Sequence, residues 1–323
     1  MTIRTLTRRA ACGLLSLAAL GAAAPAFAQA FPAKPIRIVV GFAPGGGVDA
    51  QARLIADALQ RKYGQPVTVE NKPGAGGRLA AETAARAEPD GYTIGTITGA
   101  DALLAVVDPK LGYKLPGDFR LLTMVSDYPF AIVTAADSPY KSFTEFLQAA
   151  KKSGAVSSAS AGIGTTHHLA AELISAMADV DILHIPYKGS SSANADVISG
   201  RVSVQFAASP QVLSSGKLRA LAITSPKRAR LWPNVPAVAE FVPGYEVTSW
   251  LGLVVPAKTP AAVAAKLAAD VQEVLKARES QQKMETMGFE VVTSTPAELQ
   301  ARVEADMVKW QKLITSRNIK VNE

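Results

Sequence analysis

Short apolar runs, glycine-rich turns and helical repeats follow one another along most of the chain. Residues 36–42 form a largely apolar run that predicts a buried strand, ended by Ala43-Pro44-Gly45-Gly46-Gly47. Leu54, Ile55, Ala58 and Leu59 then recur at helical spacing as far as Tyr63-Gly64. A strand over 67–70 leads into a second glycine loop, Asn71-Lys72-Pro73-Gly74-Ala75-Gly76-Gly77, which opens a helix over 78–87. The turn Pro89-Asp90-Gly91 precedes a strand over 92–98. The same grammar returns with strands over 130–134, 156–160, 182–185, 202–206 and 218–224, and helices over 143–151, 168–177 and 193–199. A proline-punctuated loop covers 231–245, a strand 251–255, and helices 260–277 and 296–314. Strand, glycine turn and helix in regular order predict an α/β protein with parallel strands, arranged as two βα blocks with a cleft between them.

The N-terminus follows a different pattern. Arg4, Arg8 and Arg9 precede an uncharged Ala- and Leu-rich run, and Ala26-Phe27-Ala28 or Ala28-Gln29-Ala30 supplies a small-x-small cleavage site. Residues 1–28 are therefore read as an export signal, cleaved near Ala28 or Ala30, with periplasmic localisation as the expectation. Loss of the three arginines lowers the formal charge from +7 to +4 and weakens any case for nucleic acid. Cys12, the only cysteine, leaves with the signal, so the mature chain has neither a disulfide nor a thiol metal site. No later stretch has eighteen apolar residues without a charge.

The glycine loops invite nucleotide motifs, and each fails. After Gly41 and Gly46, Gly47-Val48 stands where a P-loop needs Lys-Ser/Thr, and neither Gly74-Ala75-Gly76 nor Gly162-Ile163-Gly164 continues to the third glycine of a dinucleotide fingerprint. What remains is backbone N–H delivered to a helix start, which caps the helix or holds an anion. Asp49 either caps the first helix or contacts a ligand. His167 and His168 are adjacent and point to different sides of a helix, so they do not chelate one metal, and no metal or cofactor is expected. Gly189-Ser190-Ser191-Ser192-Ala193 lacks the second glycine of a nucleophile elbow, which counts against a secreted α/β hydrolase, the principal enzymatic alternative.

At these loops the chain resembles a known family. Residues 31–40 leading into Pro44-Gly45-Gly46-Gly47-Val48-Asp49, then Val69-Glu70-Asn71-Lys72-Pro73-Gly74-Ala75-Gly76-Gly77, Pro89-Asp90-Gly91-Tyr92-Thr93, the segment from Ser160 to Leu169, Ile185-Pro186-Tyr187-Lys188-Gly189 and the segment from Gly216 to Ser225 run in order over the mature chain. They resemble the Bug, or TctC-like, family of periplasmic solute-binding receptors serving tripartite tricarboxylate transporters.

The resemblance implies a two-lobe Venus flytrap of the periplasmic-binding-protein class, each lobe a mainly parallel sheet flanked by helices. Lobe 1 would take 29–126 plus 249–323 and lobe 2 would take 127–248. It implies a monomeric, non-enzymatic receptor that binds a small carboxylate and hands it to membrane transporter subunits; a sensing co-receptor is the other role. By position, Phe42, Gly46, Gly47 and Asp49, with Thr98 nearby, would form one wall, and Ala161, Gly164, Thr165 and Thr166 the other. Relatives often carry Phe-Asp-Asn-x-Pro where this chain has Phe206-Ala207-Ala208-Ser209-Pro210, and an uncharged loop where it has Gly99-Ala100-Asp101 and Asp108-Pro109. Without a carboxylate at Ala207 to meet an amine, the expected ligand is an organic acid lacking an ammonium group, with room for an aromatic or extended body.

Overall fold

Two five-stranded mixed sheets organise the computed structural model, which describes residues 31–317 and 319. The expected export signal over 1–28 and Cys12 lie outside the described residues. The first sheet has the order β2-β1-β3-β10-β4, from β1 (Ile36–Val40), β2 (Val67–Asn71), β3 (Thr93–Thr98), β4 (Phe119–Pro129) and β10 (Thr248–Pro256). The second has the order β7-β6-β8-β5-β9, from β5 (Ala131–Ala135), β6 (Ser157–Ser160), β7 (Leu183–Pro186), β8 (Val204–Ala207) and β9 (Leu218–Ile223).

Both sheets have the same construction. Strands β2, β1 and β3 are parallel, as are β7, β6 and β8, while β10 and β4 in one sheet, and β5 and β9 in the other, complete antiparallel pairings. The expected parallel blocks are thus half of each sheet, and the antiparallel half arises because β4 leads straight through Phe130 into β5. The chain returns through Val247, whose N–H donates to the Thr224 carbonyl, and enters β10.

The predicted helices α1 (Gly47–Tyr63), α2 (Arg78–Ala85), α4 (Phe143–Ala150), α5 (Thr166–Ala178), α6 (Asn194–Ile198), α7 (Ala261–Lys276) and α9 (Pro296–Arg317) form, with α3 (Gly99–Val107) and α8 (Arg278–Thr286) in addition. Strand β4 and helices α3 and α8 carry no clear period. Helix α3 is apolar nearly throughout and begins directly at the end of β3, while α8 is polar and buries only Ser280 and Met284. Strand β4 mixes Thr123, Ser126 and Asp127 with apolar residues because helices α7 and α9 pack against it.

The first sheet closes around fully buried Trp250, whose indole N–H donates to Asp306 at 2.7 Å, with Leu299 and Val303 of α9 beside it. The second closes around Val133, Val197, Leu218 and Trp232. Loops of the two sheets meet directly. Arg230 reaches Glu285 and Glu290 at 2.9 Å each, Gln211 donates to the Thr286 carbonyl, and Ser209 to that of Met287. On the opposite edge Gly76 (φ +67°) lies so close to the second sheet that a Cβ would sit 2.9 Å from the Ile163 carbonyl. No described helix is long and apolar enough to cross a membrane.

Candidate functional site

The carboxyl ends of the parallel strands in the two sheets point at one another, the position where open α/β sheets hold ligands. The loop after β1 contributes Phe42, Ala43, Gly46 and Gly47 to one wall of a cavity between them, and the end of β3 contributes Thr98 and Ala100. The loop after β6 supplies Ala161, Thr165, Thr166 and His167, and that after β7 supplies Gly189, Ser190 and Ser191. Tyr128, Phe130 and Ser249 close the back where the chain crosses between sheets. The cavity leaves about 40 Å³ open to the centres of water molecules, and a neighbouring one about 240 Å³. The two share Gly46, Gly47, Ser190, Ser191 and Ala208, and neither is lined by Asp, Glu, Lys or Arg.

Three helices start at the first cavity, and the sequence treats their ends differently. Thr98 caps α3, its hydroxyl accepting from Ala100 N–H at 3.2 Å while the Asp101 carboxylate accepts from Thr98 N–H at 2.7 Å. Thr165 caps α5, its hydroxyl accepting from His168 N–H and donating to the Gly162 carbonyl at 2.7 Å. Helix α1 begins at Gly47, and Gly46 at the capping position before it has no side chain to cap it. Its positive end faces the cavity, electrostatically matched to an anion.

Thr98 and Thr165 therefore line the wall with hydroxyls already engaged, whereas the Thr166 hydroxyl, on a residue 3% exposed, has no partner. Both ring nitrogens of His167 are likewise unpartnered, between Phe130 at 4.3 Å and Phe206 at 6.4 Å between ring centres. Burial pushes the His167 pKa down to about 3, so it presents a neutral imidazole with one donor and one acceptor. His168 points into the second lobe, stacked on His184 at 3.7 Å and accepting from Gly164 N–H at 3.3 Å.

Of the sequence-expected residues, Phe42, Gly46, Gly47, Thr98, Ala161, Thr165 and Thr166 line the first cavity, and Ala207 lines the second. Asp49 and Gly164 line neither. Asp49 is a loop staple: one carboxylate oxygen accepts from Gly45 N–H and Arg53, the other from Asn71, at 2.8–2.9 Å. Burial alone would raise its pKa, but these hydrogen bonds outweigh it and hold the carboxyl below its ordinary value. Gly164 faces Leu104, where a Cβ would lie 2.6 Å from Cδ2.

Sequence reasoning missed His167, Tyr128, Phe130, Ser249 and the Ser190-Ser191 pair. His167 and the serines stand out in the sequence, but their spacing there speaks only to metal chelation and catalysis; the others sit at strand ends whose meeting is a tertiary event. Ser160 Oγ lies 2.6 Å from His184 Nε2, a nucleophile-and-base spacing, but Ser160 is 2% exposed and neither residue lines either of these two cavities. Among the described residues no three His, Cys, Asp or Glu side chains converge to hold a metal.

Asp101, the expected departure from an uncharged loop, is 2% exposed, and burial pushes its pKa up to about 6 despite the bonds from Thr98 and Tyr113. The folded state thus holds this proton more tightly than the unfolded chain. Its contribution to stability declines as pH rises from about 4 to about 6, the reverse of a salt-bridged aspartate. Asp101→Asn should flatten that part of a melting-temperature profile; an unchanged slope would refute the assignment.

A family model described as "Tripartite tricarboxylate transporter family receptor" (TctC) matches residues 51–319. The chain is 36% identical over 305 residues to the UPF0065 protein in the tcbD-tcbE intergenic region of Pseudomonas sp. (strain P51), covering 91% of this chain and 90% of that one. It is 32% identical to protein BugT of Bordetella pertussis over 98% of this chain and 99% of that one. Among solved structures it resembles periplasmic binding protein BugD (TM-score 0.85, 33% identity, 90% of this chain and 99% of that one). It also resembles R. palustris Rpa4515 with adipate (TM-score 0.85, 32% identity, 90% and 99% covered). A third is MatC from Rhodopseudomonas palustris with bound malate (TM-score 0.82, 29% identity, 88% and 100% covered). With a two-lobe fold and a cavity of backbone amides and hydroxyls at the sheet ends, the chain belongs to the TctC family of periplasmic solute-binding receptors.

Proposed function

We propose that this receptor captures a small organic acid without an ammonium group, closes its lobes over it, and delivers it to the membrane subunits of a tripartite tricarboxylate-type transporter. One observation carries the reading: the uncapped start of α1 faces a cavity that contains no charged side chain. A carboxylate there accepts from the first-turn N–H groups of α1 and from the free Thr166 hydroxyl, replacing the missing cap. Adipate and malate in two of the similar structures support the class of ligand. No carboxylate lines either cavity to receive an amine, since Ala207 and Ala208 stand at the end of β8. Closure is a hinge motion between the bodies 29–126 plus 249–323 and 127–248, favoured by ligand because only the closed form brings both walls to it.

A thermal-shift screen over mono-, di- and tricarboxylates tests this directly. Ligand at 100 times its Kd adds about 2.7 kcal/mol of stability, a readily measured shift. Thr166→Ala should weaken the best ligand about tenfold or more, the worth of a hydrogen bond to a charged group. It should leave the unliganded melting temperature in place, because that hydroxyl makes no internal bond. Tight binding of glutamate or aspartate with no response to other carboxylates would overturn the ligand class.

A further inference from the structure

The Thr166 hydroxyl is not the only unpartnered polar group on the first cavity. His167, the next residue, lines it too, and both of its ring nitrogens are buried without a hydrogen bond. Phe130 and Phe206 flank the ring, at 4.3 and 6.4 Å between centres, and offer those nitrogens no partner. A buried polar atom left unpaired costs about 1–3 kcal/mol, a cost that a phenylalanine in this place would avoid. The imidazole is therefore suited to a group that arrives with the ligand.

No charged side chain in the lining faces this ring. On its own helix, His168 turns away to stack on His184 and approach Glu172. Where the chain crosses between sheets, Tyr128 is the other ionisable side chain of the lining, and burial raises its pKa, so it stays neutral. Its neighbour Asp127 pairs with Arg302. Asp49 of α1 and Asp101 of α3 line neither cavity, the first engaged by Gly45, Arg53 and Asn71 and the second by Thr98 and Tyr113. Desolvation alone acts on the charge of the free ring, and holds it neutral down to a pKa of about 3.

We propose that His167 is a direct ligand contact whose imidazole N–H donates to the bound carboxylate, and that in acid the ring takes up a proton as the ligand binds. This rests on the carboxylate reading above and adds a specificity-determining residue to it. Near neutral pH the ring is uncharged and supplies the hydrogen bond alone. An anion placed against it favours the protonated form, so in acid the liganded protein holds more protons than the free one. Affinity therefore rises as pH falls, the sign that linkage requires.

The test is calorimetry on the mature protein. The probe is the tightest binder among straight-chain mono- and dicarboxylates of two to eight carbons and their 2-hydroxy derivatives. His167→Phe should weaken it at least about tenfold at pH 7, the worth of a hydrogen bond to a charged group. The unliganded melting temperature should not fall, because neither nitrogen makes an internal bond. His167→Gln, which keeps an N–H donor but cannot take the proton, should recover part of that loss. The ratio of wild-type to glutamine-variant affinity should then rise about two- to tenfold from pH 7 to pH 5, as expected for a ring pKa lifted to about 5–6 by the anion. The ligand's own ionisation cancels in this ratio, which also decides the matter if the phenylalanine variant folds poorly. A folded His167→Phe protein that binds as tightly as wild type overturns the proposal, as does a ratio that stays flat with pH. If no acid of the panel binds the wild type, the carboxylate reading itself falls, and this proposal with it.

Discussion

Gly46→Val is expected to abolish ligand binding and to leave the protein folded. Gly46 has φ −79° and ψ 168°, an extended conformation open to any residue, and a Cβ there would meet only the Ala43 carbonyl at 3.4 Å and Ser191 Oγ at 4.0 Å. The added methyl groups would therefore enter the two cavities that this residue lines. They would cover the exposed start of α1 and occupy a large part of about 40 Å³. A loss of at least about 100-fold in affinity is expected, about 2.7 kcal/mol, with a change in unliganded stability within about 0.5 kcal/mol. The neighbouring Gly47 is a poorer probe, because a Cβ there would sit 2.7 Å from Phe289 Cζ and disturb the packing as well. Calorimetry with the ligand found by thermal shift, beside a melt of the free protein, separates the two effects. Undiminished affinity in the folded variant would remove the α1 terminus from the site.

Asp49→Ala should damage stability and binding together, which distinguishes a staple from a ligand contact. Asp49 is 2% exposed and ties Gly45, Arg53 and Asn71 to one carboxylate, and Asn71 in turn donates to the Phe42 carbonyl at 3.0 Å. The bracing of residues 42–45 thus passes through this side chain. Loss of several hydrogen bonds to a buried charge is expected to remove about 3 kcal/mol, and the displaced loop to weaken ligand by at least tenfold. Asp49→Asn, with a single acceptor oxygen and no charge, should fall between.

The pH dependence has a definite sign. A carboxyl held below its ordinary value contributes stability that is present above the unfolded value, about 3.9, and is lost as pH falls through the folded one. The alanine protein should lack that acid limb in urea titrations at stepped pH. Weakened binding with unchanged stability would instead make Asp49 a direct contact.

Much of the fold was legible in the chain. The apolar run at β1, the helical spacing of Leu54, Ile55, Ala58 and Leu59, and the glycine turns between them each encode a local preference that burial reinforces. The elements that escaped are those whose partners are remote. Strand β4 tolerates Thr123 because Ser294 bonds it from 171 residues away. Helix α8 is polar on nearly every face because only Ser280 and Met284 turn inward. Helix α3 starts without a loop because Thr98 serves both as the last residue of β3 and as its cap.

The site divides in the same way. The glycine-rich loop before α1 and the Thr165-Thr166 step before α5 are local features, written in the chain by the absence of a Cβ and by the capping habit of threonine. Whether a hydroxyl remains free is not local. Thr98, Thr165 and Thr166 look alike in sequence, yet two of them are consumed by helix ends and only the Thr166 hydroxyl is left without a partner. Asp49 and Asp101, equally acidic on paper, have pKa values moved in opposite directions, the first down by hydrogen bonds that outweigh its burial and the second up by burial that outweighs its hydrogen bonds. The sequence alone determined where bare backbone reaches a helix start, since that depends on one residue and its immediate neighbours. The tertiary structure decided which polar atoms there stay unsatisfied, since that depends on every group that packing brings within hydrogen-bonding distance.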